Sequence, residues 1–310
     1  MRFPAAVLLV LAFAPVTLAQ PRVKPPVFGA EIEVVNLNVS ITDPEGAYVT
    51  GLNGRDFAVY EDGVRQELMI FEHETLPLSV VLQIDGSASM AEKMKDAQSA
   101  ARQFLKTFKP GDMAQIVQFS DRVTVLQPFT SDMAALDEAV GKTEASGPTS
   151  LHNALYVSLK DLASEKRKSG GELRRRAIVL LSDGEDTSSL VSDTQVMELA
   201  KKTEINIYPI MLRPNRSGAG NRPAFSQAEY LLTTLARDTG GRPFTPNSLS
   251  ELDKVYAKIA EELRSLYSIG YVSSNPRRDG KWRRIVVRVP GRDDLNIRNK
   301  LGYYAPQKPK

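Results

Sequence analysis

The stretch VVLQIDGSASM, Val80 to Met90, decides how the rest of the chain is read. An apolar run broken only by Gln83 stops at Asp85, and Ser87 and Ser89 follow at alternate positions. Apolar residues that do not alternate with polar ones predict a strand buried on both faces of a sheet, as in parallel sheets. The three oxygen-bearing side chains stand where that strand ends. By itself Asp-x-Ser-x-Ser is a turn pattern, since Asp, Ser and Gly all favour turns. Its position at a strand end is what makes it a candidate site.

Outward from this stretch, strands alternate with helices from Leu78 to Leu266. Helical spacing of Met94, Ala97, Ala101, Phe104, Leu105 and Phe108 predicts a helix within Ala91 to Phe108. MAQIVQFS and RVTVLQPF, joined at Asp121-Arg122, predict a hairpin, and Thr130-Ser131-Asp132 caps a helix running to Val140. Further helices are expected over Leu151 to Leu162, Ala224 to Asp238 and Leu249 to Leu266, with strands at RRAIVLLSD and INIYPIML. This texture implies βαβ units, hence an α/β fold with a doubly wound, mostly parallel sheet covered by helices on both faces. The hairpin makes one strand antiparallel.

Two β-rich fragments flank this region. EIEVVNLNVSITD and FAVYEDGVRQELMIFEHE lie before it; YSIGYVSS, KWRRIVVRVP and LNIRNKLGYYAP follow it. Each fragment is too short to bury a core alone. Because domain termini lie close together, residues 29–77 and 267–306 are expected to meet in one smaller, sandwich-like all-β domain beside an α/β domain at 78–266.

The first 19 residues combine Arg2, an apolar stretch from Ala5 to Ala14, and small residues at Thr17-Leu18-Ala19, the pattern of a secretory signal peptide. Residues 20–28, rich in proline, predict an extended linker. The expected product is exported, periplasmic or extracellular, with no transmembrane segment after cleavage. With no cysteine there is neither a lipid-attachment thiol nor a disulfide framework. A net charge of +3 is too mild to argue for nucleic acid, and no basic helix interleaved with aromatics adds to it.

In an open parallel sheet, ligands bind beyond the carboxyl ends of the strands, where strand order reverses. Asp85, Ser87 and Ser89 lie there. Thr149, in the loop SGPTS before a helix, and Asp183, at the end of AIVLLSDGED, occupy comparable places. Hydroxyls and carboxylates without histidine or cysteine suit Mg²⁺, Mn²⁺ or Ca²⁺.

Asp85-Gly86-Ser87-Ala88-Ser89, Thr149 and Asp183 together resemble the metal-ion-dependent adhesion site of von Willebrand factor type A domains. The resemblance covers Leu78 to Leu266. More loosely, FAVYEDGVRQ and YSIGYVSSNP…GYYAP resemble exported bacterial proteins related to that family. The resemblance implies a Rossmann-like fold and a divalent cation. It further implies that the serines coordinate the metal directly, the threonine does so when ligand is bound, and the aspartates act directly or through water. A coordination position left to solvent then accepts an acidic side chain of a protein partner.

The resulting expectation is an exported binding or adhesion module, not an enzyme. Two alternatives use the same oxygens: a metal-dependent hydrolase, or an envelope protein whose metal only ties loops together. Against hydrolysis, Ser87, His152 and Asp183 lack the Gly-x-Ser-x-Gly elbow that would expose a nucleophile, and no general base with its own orienting group is evident. Gly147-Pro148-Thr149-Ser150 lacks the Gly-Lys of a phosphate-cradling loop. His73 is expected on a solvated edge. Arg174-Arg175-Arg176, Glu165-Lys166-Arg167-Lys168 and Arg283, Arg284 and Arg288 are expected to face solvent, with docking of an anionic surface or polymer by the first two runs as the lesser alternative.

Overall fold

The computed structural model describes residues 34–73, 76–168, 173–212 and 226–307. The expected leader at 1–19, the linker at 20–28 and the loops at 169–171 and 215–221 lie outside the described residues.

The central sheet has five strands: β5 (Leu78–Asp85), β6 (Met113–Phe119), β7 (Val123–Thr130), β8 (Arg175–Ser182) and β9 (Asn206–Met211), in the order β7-β6-β5-β8-β9. The pairs β5–β6, β5–β8 and β8–β9 are parallel, and β7 is the antiparallel member of the hairpin. Every residue of β5 and of β8 is buried, as their unalternating sequences require. One face packs on α1 (Met94–Leu105), α2 (Met133–Gly141) and α6 (Leu252–Ser265), and Leu78, Val80, Leu82 and Ile84 point that way. The other face packs on α3 (Leu151–Lys168), α4 (Asp193–Lys201) and α5 (Gln227–Thr239) through Val81, Ile178, Leu180 and Ile207.

The flanks supply eight further strands. From the amino side come β1 (Val34–Thr42), β2 (Ala58–Glu61), β3 (Val64–Gln66) and β4 (Leu68–Glu72); from the carboxyl side come β10 (Tyr267–Val272), β11 (Trp282–Arg288), β12 (Asn296–Arg298) and β13 (Gly302–Tyr304). They build two antiparallel sheets, β12-β1-β10-β4 and β13-β11-β2-β3. Both sheets mix strands from both ends of the chain: Val34 stands opposite Val272, and Ala58 opposite Arg288. Leu37, Val39, Ile41, Val59, Tyr271, Ile285 and Val287 fill the space between them. The β2–β3 turn carries Asp62 and Gly63 at φ 47° and 85°, the left-handed pair a tight two-residue hairpin needs.

Four features differ from expectation. Helix α4 was not anticipated, although Ser192 and Gln195 form a capping box at its start. Arg174, Arg175 and Arg176 are buried rather than solvated. Their charge is spent inside the fold: Arg175 donates to Leu263 O at 2.9 Å, to Arg264 O at 3.1 Å and to Leu266 O, while Arg176 Nε meets Glu165 Oε2 at 3.0 Å. Arg283 lies on the buried face of β11, 2.9 Å from Asp279, whereas Arg284 and Arg288 are exposed as expected. His73 stacks on Tyr267, ring centroids 4.2 Å apart, instead of standing in solvent.

Candidate metal centre

Chain order leaves β5 for β6 on one side and later returns to β8 on the other, so the crevice at the carboxyl ends of β5 and β8 is the switch point of the sheet. Ile84 pairs with Leu181, which sets the next residues, Asp85 and Ser182, side by side. Ser182 Oγ donates to Asp85 Oδ2 at 2.5 Å, and the backbone N–H of Ser87 donates to Asp85 Oδ1 at 2.8 Å. Burial pushes the Asp85 carboxyl above its usual range. The hydrogen bonds from Ser182 and Ser87 pull it back in part, and the charge of Asp183 adds to the rise.

Gly86 makes the turn possible. A Cβ there would lie 2.6 Å from Gln118 Nε2 and 2.7 Å from Glu144 O. Its N–H donates to Phe119 O at 2.8 Å, and its carbonyl accepts from Ser146 N–H at 2.7 Å. Gln118 in turn holds both backbone groups of Glu144. These bonds draw the loop before α3, and Thr149 with it, against the end of β5.

From Asp85 a row of oxygens leads outward. Ser87 Oγ and Ser89 Oγ are 3.1 Å apart, and Ser89 Oγ donates to Asp183 Oδ1 at 2.7 Å. Exposure rises along it, from buried Asp85 and Ser87 to exposed Ser89. Thr149 is buried and joins through backbone: its carbonyl accepts from Thr187 and Ser188 at 2.9 and 3.1 Å, and a Cβ on Gly184 would sit 3.6 Å from its Oγ1. The structure therefore brings Asp85, Ser87, Ser89 and Asp183 into one hydrogen-bonded row, with Thr149 in the adjoining loop.

Two participants escaped the sequence. Ser182, the residue before Asp183, holds Asp85 from inside the sheet. Lys93 reaches back one helical turn, donating to Ser89 O at 3.3 Å and pairing with Asp183 Oδ2. Its spacing of four residues from Ser89 was the only available signal.

The donor set matches a hard divalent cation in kind. It offers two carboxylates and three hydroxyls, hard oxygen donors of the kind such ions take. Among the described residues no group of three or more His, Cys, Asp or Glu side chains is arranged to hold a metal. His152 Nδ1 lies 3.2 Å from Val191 O and 3.7 Å from Asp186, and its ring makes no bond to the serines.

Comparison with known proteins agrees with this architecture. A UPF0353 protein of Mycobacterium leprae is 27% identical over 226 residues, which covers 68% of this chain and 66% of the relative. A UPF0353 protein of Mycolicibacterium paratuberculosis is 28% identical over 199 residues, 59% of this chain and 60% of that one. The chain thus spans about two thirds or less of the length of these curated relatives. Among solved structures, a von Willebrand factor type A protein from Catenulispora acidiphila superposes with a TM-score of 0.52 at 13% identity, over 91% of this chain and 76% of that one. Residues 80–185 match the family model of the von Willebrand factor type A domain, and the α/β sheet they run through has that domain's Rossmann-like fold.

Proposed function

We propose that the chain is an exported binding module that recognises a protein partner through a divalent cation at Asp85, Ser87, Ser89, Thr149 and Asp183. One observation carries this reading: a row of carboxylates and hydroxyls at the switch point of the sheet, buried at Asp85 and open to solvent at Ser89. Mg²⁺ or Mn²⁺ fits such a sparse oxygen set, with Ca²⁺ the alternative. When bound, the cation supplies an electrophilic position for an acidic side chain of the partner. The protein's own part is orientation. Ser182 and the Ser87 N–H fix the Asp85 carboxylate, and Gly86 lets the loop of Thr149 close on it. The reading is of a binder rather than an enzyme, supported by the way His152 is engaged by Val191 and Asp186. Among the described residues no helix is long and apolar enough to cross a membrane.

The test is thermal melting of freshly chelated protein with and without Mg²⁺. At about 100 times the dissociation constant, the metal is expected to stabilise the fold by roughly 2.7 kcal/mol. Asp85→Ala is expected to abolish that gain, and Thr149→Ala to keep most of it while weakening capture of the partner. A melting temperature that ignores both Mg²⁺ and chelator would remove the metal site. Partner capture that survives chelation would move recognition elsewhere on the surface.

A further inference from the structure

A second polar site lies at the opposite end of the central sheet. Lys166 at the end of α3, Arg174 and Arg176 at the start of β8, Glu204 and Asn206 at the start of β9, and Lys300 between β12 and β13 line a cavity of about 80 Å³. Asn36, Asn38 and Ser268 of the β-sheet close it from the other side. Among the described residues the lining holds four cations and one carboxylate. Arg176 is matched outside the lining by Glu165, at 3.0 Å. Glu204 is already engaged, accepting from Asn36 Nδ2 at 3.2 Å and from Lys166 Nζ.

Lys300 is left differently. Among the described residues its ammonium makes no hydrogen bond and no ion pair, although the side chain is half-buried; it lies 5.9 Å from the centre of the Tyr303 ring, and Glu204 acts on it only through space. Burial lowers its pKa, Glu204 raises it and Lys166 lowers it further. The position is built in, not accidental. Gly240, at φ 83° after α5, admits the β12–β13 loop, because a Cβ there would stand 2.8 Å from the backbone N of Lys300. Leu301 N–H then donates to Asp238 O at 3.3 Å, which fixes the loop. A partly desolvated ammonium with three donors and no acceptor is costly unless an anion or water meets it.

We propose that this cavity binds a small oxyanion of the size and charge of inorganic phosphate, held chiefly by Lys300 with Lys166 beside it. The volume admits a few waters or one such ion and excludes an organic cofactor. A neighbouring cavity of about 130 Å³ shares Glu204 and Lys300 and is bordered by Lys201 and Lys202, so the approach is also cationic. Glu204 competes with the anion for Lys166 and sets a modest affinity. None of the strand-end residues takes part, and the proposal stands apart from the metal reading.

The experiment titrates the chelated protein with inorganic phosphate, at constant ionic strength kept by chloride. Melting temperature and the rate of acetylation of individual lysines are followed together. Phosphate is expected to raise the melting temperature and to slow acetylation of Lys300 while leaving exposed Lys95 unchanged. Lys300→Met, which keeps the length of the side chain, is expected to weaken the response at least about tenfold, as loss of a charge-assisted hydrogen bond does. Glu204→Gln is expected to strengthen it. An equal response to chloride, or a Lys300 labelled equally fast with and without phosphate, would overturn the proposal. The labelling is read on the unaltered protein and so decides the matter even if Lys300→Met folds poorly.

Discussion

Lys93 does at the strand ends what a metal ion would do with more charge: it balances Asp183. Its side chain is 22% exposed and that of Asp183 only 2%, so the pair is only partly screened by water. Replacing it by Met leaves Asp183 without its cation, at a cost of about 1 kcal/mol to the metal-free fold. Bound Mg²⁺ restores the balance, so Lys93→Met is expected to raise Mg²⁺ affinity about fivefold, measured by calorimetric titration. Lower affinity would mean that Lys93 supports the metal site instead of competing with it. Asp85 carries the complementary cost. An acid whose folded pKa is raised loses stability as pH climbs from its unfolded value, here the ordinary 3.8, through the folded one. The penalty on the metal-free fold therefore grows as pH rises above 3.8 and is complete once the folded value is passed. Asp85→Asn is expected to raise the metal-free melting temperature at pH 7, to lose that advantage below pH 3.8, and to show no Mg²⁺ response. A variant no more stable than the parent at pH 7 would show that the Ser182 and Ser87 bonds already cancel the penalty.

At the scale of elements, the strand β8 begins in an arginine that serves a helix. Arg175 is 1% exposed and its guanidinium binds the last carbonyls of α6, where a positive charge also suits the helix dipole. Burial pushes this guanidinium down to about 10, with the charge of Arg264 adding to the shift. Arg175→Met is expected to cost about 3 kcal/mol in urea unfolding, since the buried carbonyls are left without donors. A loss under about 1 kcal/mol would show that α6 is capped by other means. This arginine also marks where sequence reasoning ends. The unalternating runs of β5 and β8, the Asp121-Arg122 hairpin and the Asp132 cap of α2 were legible because each depends on neighbours in the chain. Arg175 was not, because its carbonyl partners lie far along the sequence and only the packed fold brings them together. His73 was misplaced for the same reason, its stacking partner Tyr267 being supplied by β10. The five candidate site residues were legible as strand-end and loop oxygens, while Lys93 needed the turn of 3-10 helix over Ala88–Met90 to point it back. Helix α4 was missed despite a local signal, its capping box; of its nine residues only Val196 and Ala200 are buried.

At the scale of the whole molecule, the two flanks depend on one another. Strand β10 lies between β1 and β4, and β11 between β2 and β13. Deleting residues 20–77 removes β1 to β4, and the core residues Ile285 and Val287 lose Val59, Leu37 and Val39 from their cluster. Hydrogen exchange over Trp282–Arg288 is expected to rise to near the unfolded rate in that deletion, while β5 and β8 stay protected. Unchanged protection in β11 would mean that the carboxyl-terminal strands hold themselves together. Glu262 of α6 ties the two parts, paired with Arg298 at 2.7 Å and accepting from Tyr48 at 3.0 Å. Because β1 pairs with β10 and β12, and β2 beyond its hairpin with β3 pairs with β11, a chain emerging from a ribosome exposes β1 and one side of β2 as unpaired edges until those later strands have appeared. Closure of the central α/β unit ahead of the flanks would bring the two ends within reach and shorten the search that so distant a pairing otherwise demands. A nascent chain interrupted anywhere before β11 keeps sticky strand edges on display, so incomplete copies carry their own mark for capture by chaperones or proteases.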